Sequence, residues 1–151
     1  MEDRIVQEES TQNQPVALNY AGFWIRFAAY LIDAILMGIT TTLVNFAVFG
    51  MEELTDPTSN APNLVSFLIV LLYFSLMQSS SVQATLGKMA VGVKVVDTSG
   101  EQISLPKGIG RYFSKIVSAI ILLIGFIIAG FDSKKQALHD KIASTYVVYE
   151  A

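Results

Sequence analysis

The sequence predicts an all-α membrane protein. It should be a small helical bundle with two full transmembrane helices, a third short or re-entrant hydrophobic segment, and a small cytoplasmic β-sheet. Composition is the first reason. Of 151 residues, 52% are hydrophobic and 15% charged, against about 25% charged in soluble domains. The mean hydropathy is +0.50, and a single domain of this length has too little interior to bury so much apolar surface in water. The second reason is the spacing of charge: residues 34–51, 57–87 and 116–131 carry none. Charge-free apolar runs of about 18 residues or more read as spanning helices. The third is a pair of Val-rich alternating runs, which read as strands.

Residues 1–19 form an acidic tail, with Glu2, Asp3, Glu8 and Glu9 against Arg4. The tail has no basic leader and no small-residue cleavage site, so the apolar segment after it is expected to be retained. Residues 20–151 form the membrane domain. Its first span covers about 23–50, roughly 40 Å as a helix, with Phe23, Trp24 and Tyr30 suited to the interface. The second covers about 64–80, with Pro57 and Pro62 before it, where a helix start tolerates proline. Gln78 and the serines that follow are expected to cap it. The third, about 112–131, is ambiguous. Its apolar part, Ile116–Phe131, is about 24 Å long as a helix, against a hydrocarbon core of about 30 Å. Arg111 and Lys115 could snorkel and lengthen it, or Gly125 and Gly130 could let it bend.

Between the second and third runs, VGVKVVD reads as a strand and Asp97–Gly100 as a turn. EQISL could return as a second strand, ended by Pro106. The terminal STYVVYE is a further β-rich run, expected to pair with VGVKVVD at the membrane surface. Lys88, Lys94, Lys107, Arg111 and Lys115 place the 81–115 loop in the cytoplasm by the positive-inside rule. The 50–63 loop, with Glu52, Glu53 and Asp56, is then external and the N-terminus cytoplasmic. A complete third span would carry Lys134, Lys135 and Lys141 outside, whereas a re-entrant one keeps them inside.

Few residues could carry chemistry. Asp33 lies seven residues after Arg26, about 10 Å along the helix and inside the hydrocarbon region. An ionised carboxylate there costs about 2.5–3.5 kcal/mol on insertion scales. It needs a partner, water or a proton. Arg26, Tyr30, Asp33, Met37, Thr40 and Thr41 share one face, which should look toward protein or a water-filled pocket. Asp33 could lock helix packing, handle a cation or proton, or bind a substrate. The second cluster, KKQALHDK, contains His139 and Asp140. It reads as a solvated surface turn or a proton relay, the two side chains pointing about 100° apart on a helix.

Other classes are excluded. With no Cys and one His, disulfides, thiolate nucleophiles and His- or Cys-rich metal sites cannot form. The net charge of −3 argues against nucleic acid. ATLGKMA lacks the glycines of a phosphate loop and the Ser/Thr after its Lys88. No nucleophile–base pair is present, so neither an enzyme nor a cofactor or metal site is expected.

The order Arg26…Asp33 in a first span, then QATLGKMAVGVKVVD, then QALHDKIAST, resembles the RDD family of bacterial membrane proteins over about Tyr20–Tyr149. The resemblance implies that Arg26, Asp33 and Asp140 are the arginine and two aspartates that name the family. It likewise assigns Gln83, Thr85, Gly87 and Lys88 to its linker signature and Thr145 to its terminal threonine. Ala143-Ser144 stands where many members carry Gly. A multi-pass protein of the bacterial inner membrane is implied, and sodium/proton exchange by analogy with some members. So short a chain would have to work as a homo-oligomer to form a pathway through the bilayer. The alternative is a non-transporting adaptor or assembly protein whose Arg–Asp network fixes helix packing. In either case Arg26, Asp33 and Asp140 should converge, with Arg26 between the two carboxylates and Arg111 at the start of the third segment.

Overall fold

The structure, a computed structural model, describes residues 18–120 and 124–150. The acidic tail up to residue 17, and 121–123 in the third apolar run, lie outside the described residues.

Helix α1, Phe23–Thr55, follows the first charge-free run and is broken at Gly50, whose φ of 73° no helix accepts. Along it, Thr40 and Thr41 donate to the carbonyls of Leu36 and Met37 at 2.8 and 2.7 Å. Such back-bonding satisfies a hydroxyl where no water is present. An Asx turn at Asp56 reverses the chain into α2, Ala61–Ser79, with Pro62 in its first turn. Asn45 joins the two helices, donating to Pro62 O at 3.2 Å and Ser66 Oγ at 2.7 Å. Both helices are long and apolar enough to cross a membrane. Ile35, Ile39, Leu43, Leu68 and Leu72 are exposed along them, as expected for surfaces solvated by lipid tails.

Short helix α3, Leu86–Ala90, leads into strand β1, Val93–Asp97. Helices α4, Leu105–Ile120, and α5, Ile124–Phe131, hold the described parts of the third apolar run. Short helix α6, Leu138–Ile142, then leads into strand β2, Thr145–Tyr149. The two strands pair antiparallel, Val93 opposite Tyr149 and Val95 opposite Val147, so the expected pairing of VGVKVVD with STYVVYE is observed. Ala21, Val93, Val95, Ile103 and Val147 pack on one face of the sheet, and Val96, Tyr146 and Val148 on the other. The residues before α1 join the edge of β2: Ala21 N donates to Val147 O at 2.8 Å, and Tyr149 N to Asn19 O at 2.9 Å.

Three local expectations are corrected. EQISL is not a strand. Its Glu101 turns back onto Asp97 through a 2.9 Å backbone bond, and Gln83 O takes the Val95 N–H at 2.7 Å, so the second edge of β1 is already in use. Pro106 ends no strand but sits in the first turn of α4, where its missing N–H costs nothing. That helix begins eleven residues ahead of the apolar run, and the backbone is helical at Gly125 and Gly130, so no bend falls there.

The two short helix–strand units repeat with a constant offset of 52 residues. Gln83 and Lys135 both take positive φ, as do Gly92 and Ser144. Thr85 and Ala137 are N-caps of five-residue helices, and β1 maps onto β2. Because Val93 opposes Tyr149 and Asp97 opposes Thr145, the repeat is a local two-fold about the Val95–Val147 pair. Each unit docks on a long helix, α3 on α1 and α6 on α4. The sequence carries this repeat faintly, as Leu86/Leu138, Val95/Val147 and Val96/Val148.

Candidate functional site

The buried charges lie where the two repeated units meet the helices, around two carboxylates. Asp33 projects from α1 and is 1% exposed. Its Oδ2 accepts the Thr85 hydroxyl at 2.6 Å. Its Oδ1 accepts the Tyr73 hydroxyl at 2.7 Å and the Gly87 N–H at 2.8 Å. Thr85 also caps α3, accepting from Lys88 N at 3.4 Å. Asp33 therefore sits at the N-terminus of α3, where both the backbone N–H groups and the helix dipole favour an anion. The TLG stretch explains itself here: Thr supplies the hydroxyl, and Gly lets the two backbones touch. A Cβ on Gly87 would lie 2.1 Å from Ala29 O and 2.7 Å from Asp33 Cγ.

Asp140 is the second centre and is fully buried. Arg26 of α1 donates through Nη1 to its Oδ2, and Arg111 of α4 through Nη2 to its Oδ1. Oδ2 also accepts Ala137 N at 3.0 Å, fixing the first turn of α6. Arg111 goes on to Gln78 Oε1 and to Thr145 Oγ1 at 3.1 Å. Burial alone would push the Asp140 carboxyl up, but Arg111, Arg26 and His139 outweigh it and hold it far below the carboxylate range.

The expected arrangement is thus inverted. Arg26 does not sit between two carboxylates; Asp140 sits between two arginines. Asp33 is separate, held by neutral donors. The shared face of α1 is also only partly inward: Asp33 is buried, yet Tyr30 and Thr40 are exposed. His139 and Asp140 were expected to diverge, but His139 Nε2 lies 3.5 Å from Asp140 Oδ1, because α6 is a single tight turn. Lys134 and Lys135 are surface residues of that cluster, while His139 and Asp140 are interior. Gln83 is a backbone residue of the site: its φ of 57° turns the chain toward α3. Gln78, expected only to cap α2, is a buried partner of Arg111. Tyr73 carried no sequence signal beyond a hydroxyl in mid-span.

Burial pushes His139 well below its ordinary value, with Arg111, Lys115 and Arg26 adding to the shift against Asp140. The folded protein then binds fewer protons than the unfolded chain below about pH 6.5, and stability falls on acidification through that value. Thermal melts in detergent should show a falling transition temperature between pH 7 and pH 5. His139→Gln should flatten that slope, since Asp140 stays ionised throughout. An unchanged slope in the variant counts against the assignment.

Between α1, α2 and α4 lies a cavity of about 720 Å³. Arg26, Asp33, Lys88, Arg111, Lys115 and His139 line one part of it. Phe27, Met37, Phe67, Val70, Ile116 and Ile127 line much of the rest.

The chain as a whole is similar to known bacterial proteins. The chain is 39% identical to uncharacterized protein YxaI of Bacillus subtilis over 148 residues, 86% of this chain and 97% of that one. It is 35% identical to uncharacterized membrane protein YteJ of the same organism, over 87% of this chain and 82% of that one. A shorter match, 32% over 72 residues, joins 47% of this chain to 30% of the proline-rich antigen homolog of Mycobacterium tuberculosis. No solved structure matches the chain. The family model described as RDD family covers residues 20–144, both carboxylate centres included, and the chain belongs to the RDD family.

Proposed function

We propose that this chain is a multi-pass protein of the bacterial inner membrane whose arginine–aspartate network is an assembly device. The network fixes two helix–strand units and a re-entrant hairpin onto a two-helix anchor. One observation carries the reading: both oxygens of each buried carboxylate are engaged, with three hydrogen bonds apiece. Asp33 takes three hydrogen bonds from neutral donors, and Asp140 takes two guanidinium groups and a backbone N–H. A cation or proton carrier needs carboxylate lone pairs free to exchange. Here an exchanging ion would compete with the contacts that hold α3 and α6 in place.

The re-entrant reading rests on closure. Arg111 and Asp140 are hydrogen-bonded although 29 residues apart, and β1 pairs with β2. The chain between them leaves one end of the bundle and returns to it. Lys134, Lys135 and Lys141 then stay on the side of Lys88, Lys94 and Lys107, as the positive-inside rule asks, with the N-terminus cytoplasmic and the 50–63 loop external. The exposed apolar sides of α1 and α2 leave room for a homo-oligomer or an adaptor's partner.

Cation/proton exchange is the second reading, and one observation favours it: Asp33 lines the cavity. Oriented proteoliposomes separate the two. Assembly predicts no cation-dependent proton flux from the wild type, lowered stability in Asp33→Asn, and labelling of Ser59→Cys from outside only. Flux in the wild type that Asp33→Asn abolishes while the protein stays folded would establish exchange instead.

A further inference from the structure

The cavity is chemically two-ended. At the sheet end the lining holds four basic side chains, Arg26, Lys88, Arg111 and Lys115, and one acid, Asp33, while Asp140 lies behind it, paired with Arg26 and Arg111. Both arginines end on Asp140 and Asp33 is held by neutral donors, so two ammonium groups, Lys88 and Lys115, and one arm of Arg26 are left over. Lys88 is 6% exposed, and among the described residues its ammonium makes no hydrogen bond or ion pair. Among the described residues, the ammonium of Lys115 has only the ring of Phe74, 4.5 Å away. Arg26 Nη2 is buried with no hydrogen-bond partner. A buried cation without a counter-ion is costly, and an anion arriving at this end would meet both lysines and the free arm of Arg26 at once. The cavity as a whole follows α1 from Arg26 to Thr41, about 22 Å along the helix, and beyond Asp33 its α1 lining is Ala34, Met37, Gly38 and Thr41, faced by Phe67, Val70 and Ile116. That length exceeds half the thickness of a hydrocarbon core of about 30 Å.

We propose that this cavity binds an anionic membrane phospholipid, with its phosphate against Lys88, Lys115 and Arg26 and one acyl chain along the apolar wall of α1. Basic pockets between membrane helices on the cytoplasmic side suit such headgroups. The hydrophobic wall distinguishes a lipid from a free anion: inorganic phosphate would satisfy the cations and leave the apolar end unfilled. The ligand would also bridge α1, α3 and α4, so it should stabilise the fold.

Native mass spectrometry and thermal melts of the detergent-purified full chain test this. The probes are phosphatidylglycerol, phosphatidylcholine with the same acyl chains, and inorganic phosphate. One phosphatidylglycerol should be retained per chain and raise the melting temperature, and phosphatidylcholine should do neither. The double variant Lys88→Gln, Lys115→Gln should lose about 30-fold in that preference, roughly fivefold per lysine. The surface pair Lys134→Gln, Lys135→Gln should keep it. Equal retention of both lipids by the wild type overturns the proposal, even if the double variant does not fold. So does a stabilisation by inorganic phosphate equal to that by phosphatidylglycerol, which would mean an anion site only. An unchanged preference in the folded double variant places the lipid elsewhere and overturns it too. None of these results depends on whether the protein moves ions.

Discussion

Asp140→Ala is expected to destabilise the fold by about 3–5 kcal/mol, because it leaves two guanidinium groups facing each other in a buried site. Arg26 and Arg111 both end on this carboxylate, and the Ala137 N–H loses its acceptor as well. The variant should lose its thermal transition at the wild-type temperature, and a protease should cut it around α6 and β2 first. Asp140→Asn should rescue only part of the loss, since an amide offers one acceptor oxygen and no charge. Arg26→Met should cost less than Asp140→Ala, because Asp140 keeps Arg111. A variant Asp140→Ala that melts together with the wild type would show that the three groups are not coupled.

Gly87→Ala is expected to cost about 3 kcal/mol, the upper end of overpacking effects, although it adds a single methyl group. The obstacle is backbone: the new Cβ would stand 2.1 Å from the carbonyl oxygen of Ala29. Relief requires α3 to back away from α1. That movement pulls the Gly87 N–H and the Thr85 hydroxyl off Asp33 together, leaving a buried carboxylate with fewer donors. Gly38→Ala in the same long helix is the control. It has nothing within 4 Å, and replacing glycine inside a helix should stabilise by about 0.5–1 kcal/mol. Equilibrium unfolding of the two variants should therefore move in opposite directions. If both move alike, the close approach of α3 to α1 is not what fixes glycine at position 87.

The dependence on a hydrogen-bonded polar centre follows from the solvent. Helices in lipid gain little from apolar contact with each other, since lipid tails are as apolar as leucine. Among the described residues the apolar clusters are correspondingly small, a handful of Val, Ala and Ile side chains with Tyr146 at the sheet. The polar interior joins α1, α2, α3, α4, α6 and β2 through Asp33, Gln78, Arg111, Asp140 and Thr145. Removing one partner of such a network exposes the others to low dielectric.

By itself the sequence determined the parts of this protein that answer to solvent or to neighbouring residues. Charge-free runs placed α1 and α2, because partition between lipid and water is decided over about twenty consecutive residues. Alternation in VGVKVVD and STYVVYE was enough to anticipate their pairing, because a small sheet has few other ways to bury its Val faces. The residues that matter, Arg26, Asp33, Thr85, Gly87, Lys88, His139, Asp140 and Thr145, were legible as polar groups out of place or as a family pattern. Which of them touch was not. Arg26 and Asp140 are 114 residues apart, and Asp33 and Thr85 are 52 apart. Arg26 and Asp33 share a helix face, and that local proximity suggested a pairing that α3 and α6 pre-empt. Arg111 looked like an interfacial cation and Gln78 like a cap. Only the return of the chain after α5 brings Asp140 between Arg26 and Arg111, and only the close docking of α3 gives Asp33 its neutral donors. Periodicity and hydropathy are local sums, whereas the partner of a buried charge is set by helix rotation and by the docking of distant segments, which the tertiary structure alone decides.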